Sequence, residues 1–214
     1  IEVLSRVGYT VVIPKGQQCC GAPNIAEGER RVYREMAEHN IGLFEGKGVD
    51  IVVTDCAACG SELKAYHEVF HRQARMADRA ATFAQKIMDV SEFLASALGP
   101  DTVFRSIPES VCFHDPCHLR HAQGIVTQPR DLLRRIPDLK FEDIPDDGQC
   151  CGSAGIYNIT HRDRAMKILE AKVKAIAKTG ADRVVTSNPG CLLQLMYGRK
   201  RWGSAWEVSH ISQV

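Results

Sequence analysis

The residues best able to do chemistry are cysteines. The 214-residue chain has nine: Cys19, Cys20, Cys56, Cys59, Cys112, Cys117, Cys150, Cys151 and Cys191. The adjacent pairs Cys19-Cys20 and Cys150-Cys151 suit disulfide geometry poorly, yet neighbouring thiolates can ligate a cluster of several metal atoms. An odd count argues against a complete disulfide framework. A long, helix-rich chain without a secretory signal also points to reduced thiols in the cytoplasm. Soft sulfur ligands favour an iron–sulfur cluster or zinc over hard cations.

The spacing of these cysteines repeats. Val12-Ile13-Pro14 followed by Gly16-Gln17-Gln18-Cys19-Cys20-Gly21-Ala22 is answered by Asp143-Ile144-Pro145 followed by Gly148-Gln149-Cys150-Cys151-Gly152-Ser153. Gly48-Val49-Asp50-Ile51-Val52-Val53-Thr54 is answered by Gly180-Ala181-Asp182-Arg183-Val184-Val185-Thr186. Each copy then reaches a glycine-flanked cysteine, Cys59-Gly60 or Gly190-Cys191, and Tyr66 and Tyr197 are expected to close the two copies. Cys20 and Cys151 are 131 residues apart and Cys59 and Cys191 are 132 apart, so one inserted residue reconciles the copies. This is the signature of a duplication. It divides the chain into residues 1–107, a first repeat with a helical connector over 61–107, and residues 108–214, a second repeat.

The elements that must position the thiols follow the same rhythm. Short β-branched or aromatic runs predict strands over 10–14, 50–54, 110–114, 140–144 and 183–187. Met166, Leu169, Val173 and Ile176 recur at helical spacing, and Val32, Met36 and Phe44 form a similar face over 29–46. Thr160 with Asp163 resembles an N-terminal capping arrangement. Strands alternating with helices predict an α/β fold, each half a small parallel sheet flanked by helices. Ligand sites in such sheets collect at the carboxyl ends of strands, and the cysteines fall there. In the second half Cys117, Cys150, Cys151 and Cys191 supply four thiolates from three strand ends, the number an iron–sulfur cluster requires. The first half offers Cys19, Cys20, Cys56 and Cys59. Its counterpart of Cys117 is expected roughly 15 residues before Ile1, so the chain is read as truncated ahead of one ligand.

Composition excludes other classes. Charged residues are 25% with a formal net charge of +1, which leaves no electrostatic footprint for nucleic acid or an acidic membrane surface. No apolar run approaches the roughly 20 residues of a membrane span.

His114-Asp115-Pro116-Cys117-His118-Leu119, Cys150-Cys151-Gly152-Ser153-Ala154-Gly155, Thr160-His161 and Thr186-Ser187-Asn188-Pro189-Gly190-Cys191 resemble the cysteine-rich CCG domain family. The family pattern is a lead cysteine, Cys-Cys-Gly and then Cys-x-x-Cys. The likeness is greatest to the C-terminal part of glycolate oxidase iron–sulfur subunits, and it extends to the CCG-bearing subunit of heterodisulfide reductase and to lactate-utilisation iron–sulfur proteins. The resemblance implies an electron-transfer subunit of an oxidoreductase complex. Its partner would be a flavin-containing 2-hydroxy-acid dehydrogenase subunit, its acceptor a quinone or similar molecule, and its place the cytoplasm or the inner-membrane periphery through partners. It also implies an upstream ferredoxin-like domain outside this chain. The second half departs from the pattern, because Asn188 stands where the first cysteine of Cys-x-x-Cys would be. That leaves four thiolates for a 4Fe-4S cluster there, whereas Cys56 and Cys59 make the first half the candidate for a second, non-cubane cluster.

Two alternatives stand beside this reading. One is a heterodisulfide-reductase-like catalytic subunit with a non-cubane cluster; the other is a zinc-stabilised interaction module, with His114 or His118 as an extra ligand. Cys112, inside a strand, is read as core. His118 and His161 are read as helix-start or loop residues. The charge runs over 27–31 and 199–201 are read as solvated faces.

Overall fold

The computed structural model describes residues 1–145 and 148–214. Two parallel sheets form, one for each half of the repeat. In the first half, helices α1 (Glu2–Arg6), α2 (Ala22–Ala26) and α3 (Arg30–Glu45) precede strand β1 (Val52–Thr54). Helices α4 (Ala57–Val69) and α5 (Ala74–Ala84) then lead to strand β2 (Ile87–Asp89) and helix α6 (Val90–Ala97). β1 and β2 pair in parallel, with Val52 opposite Ile87 and Thr54 opposite Asp89. The 61–107 connector is therefore not purely helical, because it contributes half of the first sheet. Thr10–Pro14 forms no strand. Its Val12 and Ile13 side chains are 48% and 67% exposed, without the burial a paired strand gives such residues.

The second half is a four-stranded parallel sheet in the order β4-β3-β5-β6, built from β3 (Ser110–Phe113), β4 (Lys140–Asp143), β5 (Arg183–Thr186) and β6 (Glu207–His210). The central strands read Ser-Val-Cys-Phe and Arg-Val-Val-Thr and are buried over three residues each, as strands covered on both faces must be. β4 is an edge strand, and its Lys-Phe-Glu-Asp sequence is largely exposed. A π-helical turn (His118–Ala122), α7 (Thr127–Arg134), α8 (Tyr157–Thr160), α9 (Arg162–Ala177) and α10 (Pro189–Trp202) complete this half. No helix of the described residues is long and apolar enough to cross a membrane.

The core divides with the repeat. Tyr33, Ala37, Ile41, Phe44, Tyr66 and Phe83 pack in the first half. The buried stripe of α3 runs through Tyr33, Ala37, Ile41 and Phe44, one position on from the face expected at Val32 and Met36, which are only half-buried. In the second half Leu169, Val173 and Ile176 of α9 pack on one face of the sheet with Cys112 and Leu195. Phe113, Leu119 and Leu133 pack on the other face and enclose Ala57, the first residue of α4. The two halves thus share a core at that point. Thr160 does not cap α9: the N-cap residue is His161, which makes no side-chain capping bond, and the Thr160 hydroxyl bonds the Ile156 carbonyl and the His161 ring.

One expected equivalence fails. Tyr66 is fully buried and donates to the Cys20 carbonyl at 2.9 Å, whereas Tyr197 is 41% exposed. At the 132-residue offset the counterpart of Tyr66 is Gly198, which lies against α9. A Cβ there would sit 2.9 Å from Val173 and 3.0 Å from Leu169. Gly198→Ala is accordingly expected to overpack this contact and destabilise the protein by about 1–3 kcal/mol, read as a lower urea midpoint at unchanged slope.

Candidate metal centres

In the second half, β3 ends at Phe113 and is followed by His114, Asp115, Pro116 and Cys117. Asp115 fixes this loop. Its side chain is 5% exposed and accepts a bidentate pair from Arg130, Nη1 to Oδ1 at 2.8 Å and Nη2 to Oδ2 at 2.7 Å, with Arg120 Nη1 at 3.3 Å. The chain beyond β4 brings Cys150 and Cys151. β5 ends at Thr186 and leads through Ser187 and Asn188 into α10, with Cys191 in its first turn.

These four thiols meet. Each thiol interacts with the next, Cys117 with Cys150, Cys150 with Cys151 and Cys151 with Cys191, and the ligand atoms of Cys151, Cys191 and His114 all lie within 4.8 Å of one another. Cys151 and Cys191 are buried, while Cys117 and Cys150 are half-buried. Sharing protons along the row splits the thiols. Cys150 is pushed far down, chiefly by the bond from Cys117, and Cys191 well down by the bond from Cys151. Cys117 and Cys151 are pushed up, each chiefly by its bond to Cys150. Gly152 N–H donates to Cys150 Sγ at 3.2 Å, and Asn188 Nδ2 donates to Cys191 Sγ at 3.3 Å. Gly152 must be glycine: its φ is +87°, and a Cβ would lie 2.5 Å from the Ala165 carbonyl oxygen.

His114 completes the pocket. It is fully buried, its ring faces the Cys191 thiol, which it helps to push down, and it has no other hydrogen-bond partner among the described residues. A ligand atom of its ring lies within 4.8 Å of those of Cys151 and Cys191. A buried imidazole whose one polar neighbour is a thiol leaves at least one ring nitrogen unsatisfied, which costs stability. Convergent thiols, N–H donors aimed at sulfur and a buried imidazole beside two of the thiols fit an iron–sulfur or other thiophilic metal group.

The first half repeats this with differences. Cys20 is buried behind Gly21, the left-handed N-cap of α2, where a Cβ would meet the Tyr33 ring at 2.6 Å. No strand leads into Cys20, contrary to expectation; Asn40 and Tyr66 hold this loop by bonds to the Gln18, Cys19 and Cys20 carbonyls. Cys56 caps α4, its Sγ accepting from Cys59 N–H at 3.5 Å. Cys59 is the central thiol. It bonds Cys20 and Cys56, which pushes Cys20 down to about 7 and lowers Cys56, while Cys59 is raised, chiefly by its bond to Cys20. Cys19 is exposed and accepts from Gly21 N–H at 3.4 Å.

The remaining candidates separate cleanly. Cys112 is fully buried in β3 and packs with Leu169 and Val184. His118 Nδ1 lies 3.5 Å from Cys117 Sγ, whereas His161 stacks on Tyr157 with ring centroids 4.6 Å apart. Within the 199–201 charge run, Arg199 pairs with Glu207 at 2.8 Å.

Sequence reasoning missed the residues that join the two sites. Gln123 Nε2 donates to the Ala57 carbonyl at 2.9 Å, His210 Nε2 donates to the Asp55 carbonyl at 2.7 Å, and the Ser187 carbonyl accepts from Ala57 N–H at 3.1 Å. The head of α4 is therefore seated on the strand ends of the second sheet.

The chain belongs to the CCG cysteine-rich domain family, whose profile matches residues 1–64 and 111–196. It is 38% identical over 209 residues, 97% of its length, to the probable glycolate oxidase iron-sulfur subunit of Bacillus subtilis strain 168, and spans 47% of that protein. It is 29% identical over its whole length to lactate utilization protein A of Bacillus cereus strain B4264, covering 89% of that protein. It is 33% identical over 195 residues, 91% of its length, to a fumarate reductase (CoM/CoB) subunit of Methanothermobacter marburgensis, of which it covers 37%.

The loop chemistry gives a test. Asp115→Ala would strip the bidentate carboxylate from Arg130 and leave that largely buried guanidinium with only Asp143, at 2.8 Å, and the Val126 carbonyl as partners. The expected loss is about 1–3 kcal/mol, with a lower melting temperature and less bound metal per chain.

Proposed function

We propose that this chain is the iron–sulfur electron-relay part of a complex that oxidises 2-hydroxy acids of the glycolate or lactate type. Residues 1–107 and 108–214 form its two CCG units. A flavin-containing dehydrogenase subunit is its electron donor, and a quinone or similar carrier its acceptor. The observation that carries the reading is the buried group of Cys151, Cys191 and His114, whose ligand atoms lie within 4.8 Å of one another, with Cys150 and Cys117 next in the same row of interacting thiols. The names of the Bacillus relatives support the substrate class.

A 4Fe-4S cluster bound by these four cysteines supplies one-electron chemistry. The chain's own part is to bind, shield and tune. Cys151 and Cys191 lie inside the protein, away from water. The N–H groups of Gly152 and Asn188 lie on Cys150 and Cys191, where they would stabilise the more negative, reduced state. Arg130 and Asp115 hold the Cys117 loop. In the first half Cys20, Cys56 and Cys59, with Cys19 beside them, form the second site.

A second reading, disulfide reduction at the first site, is favoured by the Cys56 and Cys59 pair, by the exposure of Cys19 and by the likeness to a CoM/CoB-named protein. Turnover of a low-molecular-weight disulfide by the full-length protein would select it over a relay.

The test is substitution with metal analysis on anaerobically purified protein. Cys151→Ser and Cys191→Ser are each expected to remove about four iron and four sulfide per chain, with the matching paramagnetic signal after dithionite. Cys112→Ala should retain them. Zinc without iron in the unsubstituted protein, or equal iron loss in all three variants, would overturn the assignment.

A further inference from the structure

Asn188 occupies the position that Cys56 holds in the first repeat. The sequence presents it as a missing ligand, but the structure gives it work at both sites. Its Nδ2 donates to Cys191 Sγ at 3.3 Å, within its own half. Its Oδ1 faces the other half, where it accepts from Ala58 N–H at 3.1 Å and from Cys56 Sγ at 3.4 Å. Ala58 fixes the sense of the amide, since a reversed amide would set Nδ2 against a backbone N–H, donor against donor. The residue is buried.

The N–H donors in the first turn of α4 make this contact structural. The first N–H groups of a helix have no partners within it. Here Ala57 N–H goes to the Ser187 carbonyl, Ala58 N–H to Asn188 Oδ1 and Cys59 N–H to Cys56 Sγ. The helix that carries Cys59 is thus capped largely from the opposite repeat. A cysteine at position 188 could not do both jobs. As a thiolate it would offer no N–H to Cys191 and would set a further negative charge between Cys56 and Cys191.

We propose that Asn188 is the positioning residue that makes the two thiolate sites one unit. It seats the head of α4, and so Cys56 and Cys59, while holding a hydrogen-bond donor on Cys191 and keeping a fifth thiolate out of the second site. The redox part of this inference rests on the proposed function; the capping part does not.

Asn188→Ala and Asn188→Asp separate the two roles in the full-length protein purified anaerobically. Amide hydrogen exchange reads the cap. Ala58 N–H should exchange at least tenfold faster in Asn188→Ala and stay protected in Asn188→Asp, whose carboxylate still accepts. A redox titration followed by electron paramagnetic resonance reads the donor. The second centre should become at least tenfold harder to reduce at a fixed potential in Asn188→Asp, a one-electron shift of about 59 mV downward. A smaller shift in the same direction is expected in Asn188→Ala. Unchanged Ala58 exchange in Asn188→Ala, or an unmoved second-centre potential in both variants, would overturn the proposal. If the unsubstituted protein carries no cluster, the relay reading fails by that result, and the exchange measurement still decides the cap.

Discussion

Everything at these sites depends on one constraint: several cysteine sulfurs are held in contact and away from water. Thiolates so placed repel one another and lose their hydration, and protons shared along the row offset only part of that cost. Cys151 and Cys191 are buried, and the row from Cys117 to Cys191 is continuous. A multivalent cationic group at the centre turns this liability into a binding site. The buried ring of His114, beside Cys151 and Cys191, points to the same conclusion from a different kind of atom.

The fold is the means of enforcing that crowding. Parallel strands place all their carboxyl ends along one edge of the sheet, so loops distant in sequence are delivered to one place. The duplication then sets two such edges against each other. The head of α4 lies on the end of β5 through Ala57, Ala58, Ser187 and Asn188, and Gln123 and His210 pin the same junction by bonds to Ala57 and Asp55. Ala57 even counts among the buried residues of the second half's core. Because the two sites share this junction, a change in one half's loop has a physical route to the other half's thiols.

Much of this was legible in the sequence, for definable reasons. All five expected strands are β-branched or aromatic runs flanked by turns, and β1, β3, β4 and β5 form at four of them. The fifth, Thr10–Pro14, has the right residue types but no paired partner. β2 and β6 were missed because Ile87-Met88-Asp89 is three residues long inside a helical stretch, and Glu207-Val208-Ser209-His210 is a largely polar edge strand. The cysteine spacing carried the candidate ligands, since a duplicated motif leaves its periodicity in the chain. It also misled at Tyr197, where matching residue types hid a one-residue offset from the true counterpart, Gly198. Contacts between the halves left no local pattern at all. Asn188, Gln123 and His210 are ordinary polar residues until the two repeats face each other.

The central claim is that the second half binds an iron–sulfur cluster through four cysteine sulfurs. Iron K-edge X-ray absorption on the anaerobically purified protein tests this most directly. The account predicts iron surrounded by sulfur alone, with a short iron–iron vector of the kind a multinuclear cluster gives. Iron with nitrogen or oxygen neighbours and no iron–iron vector, or absorption at the zinc edge in its place, would contradict it.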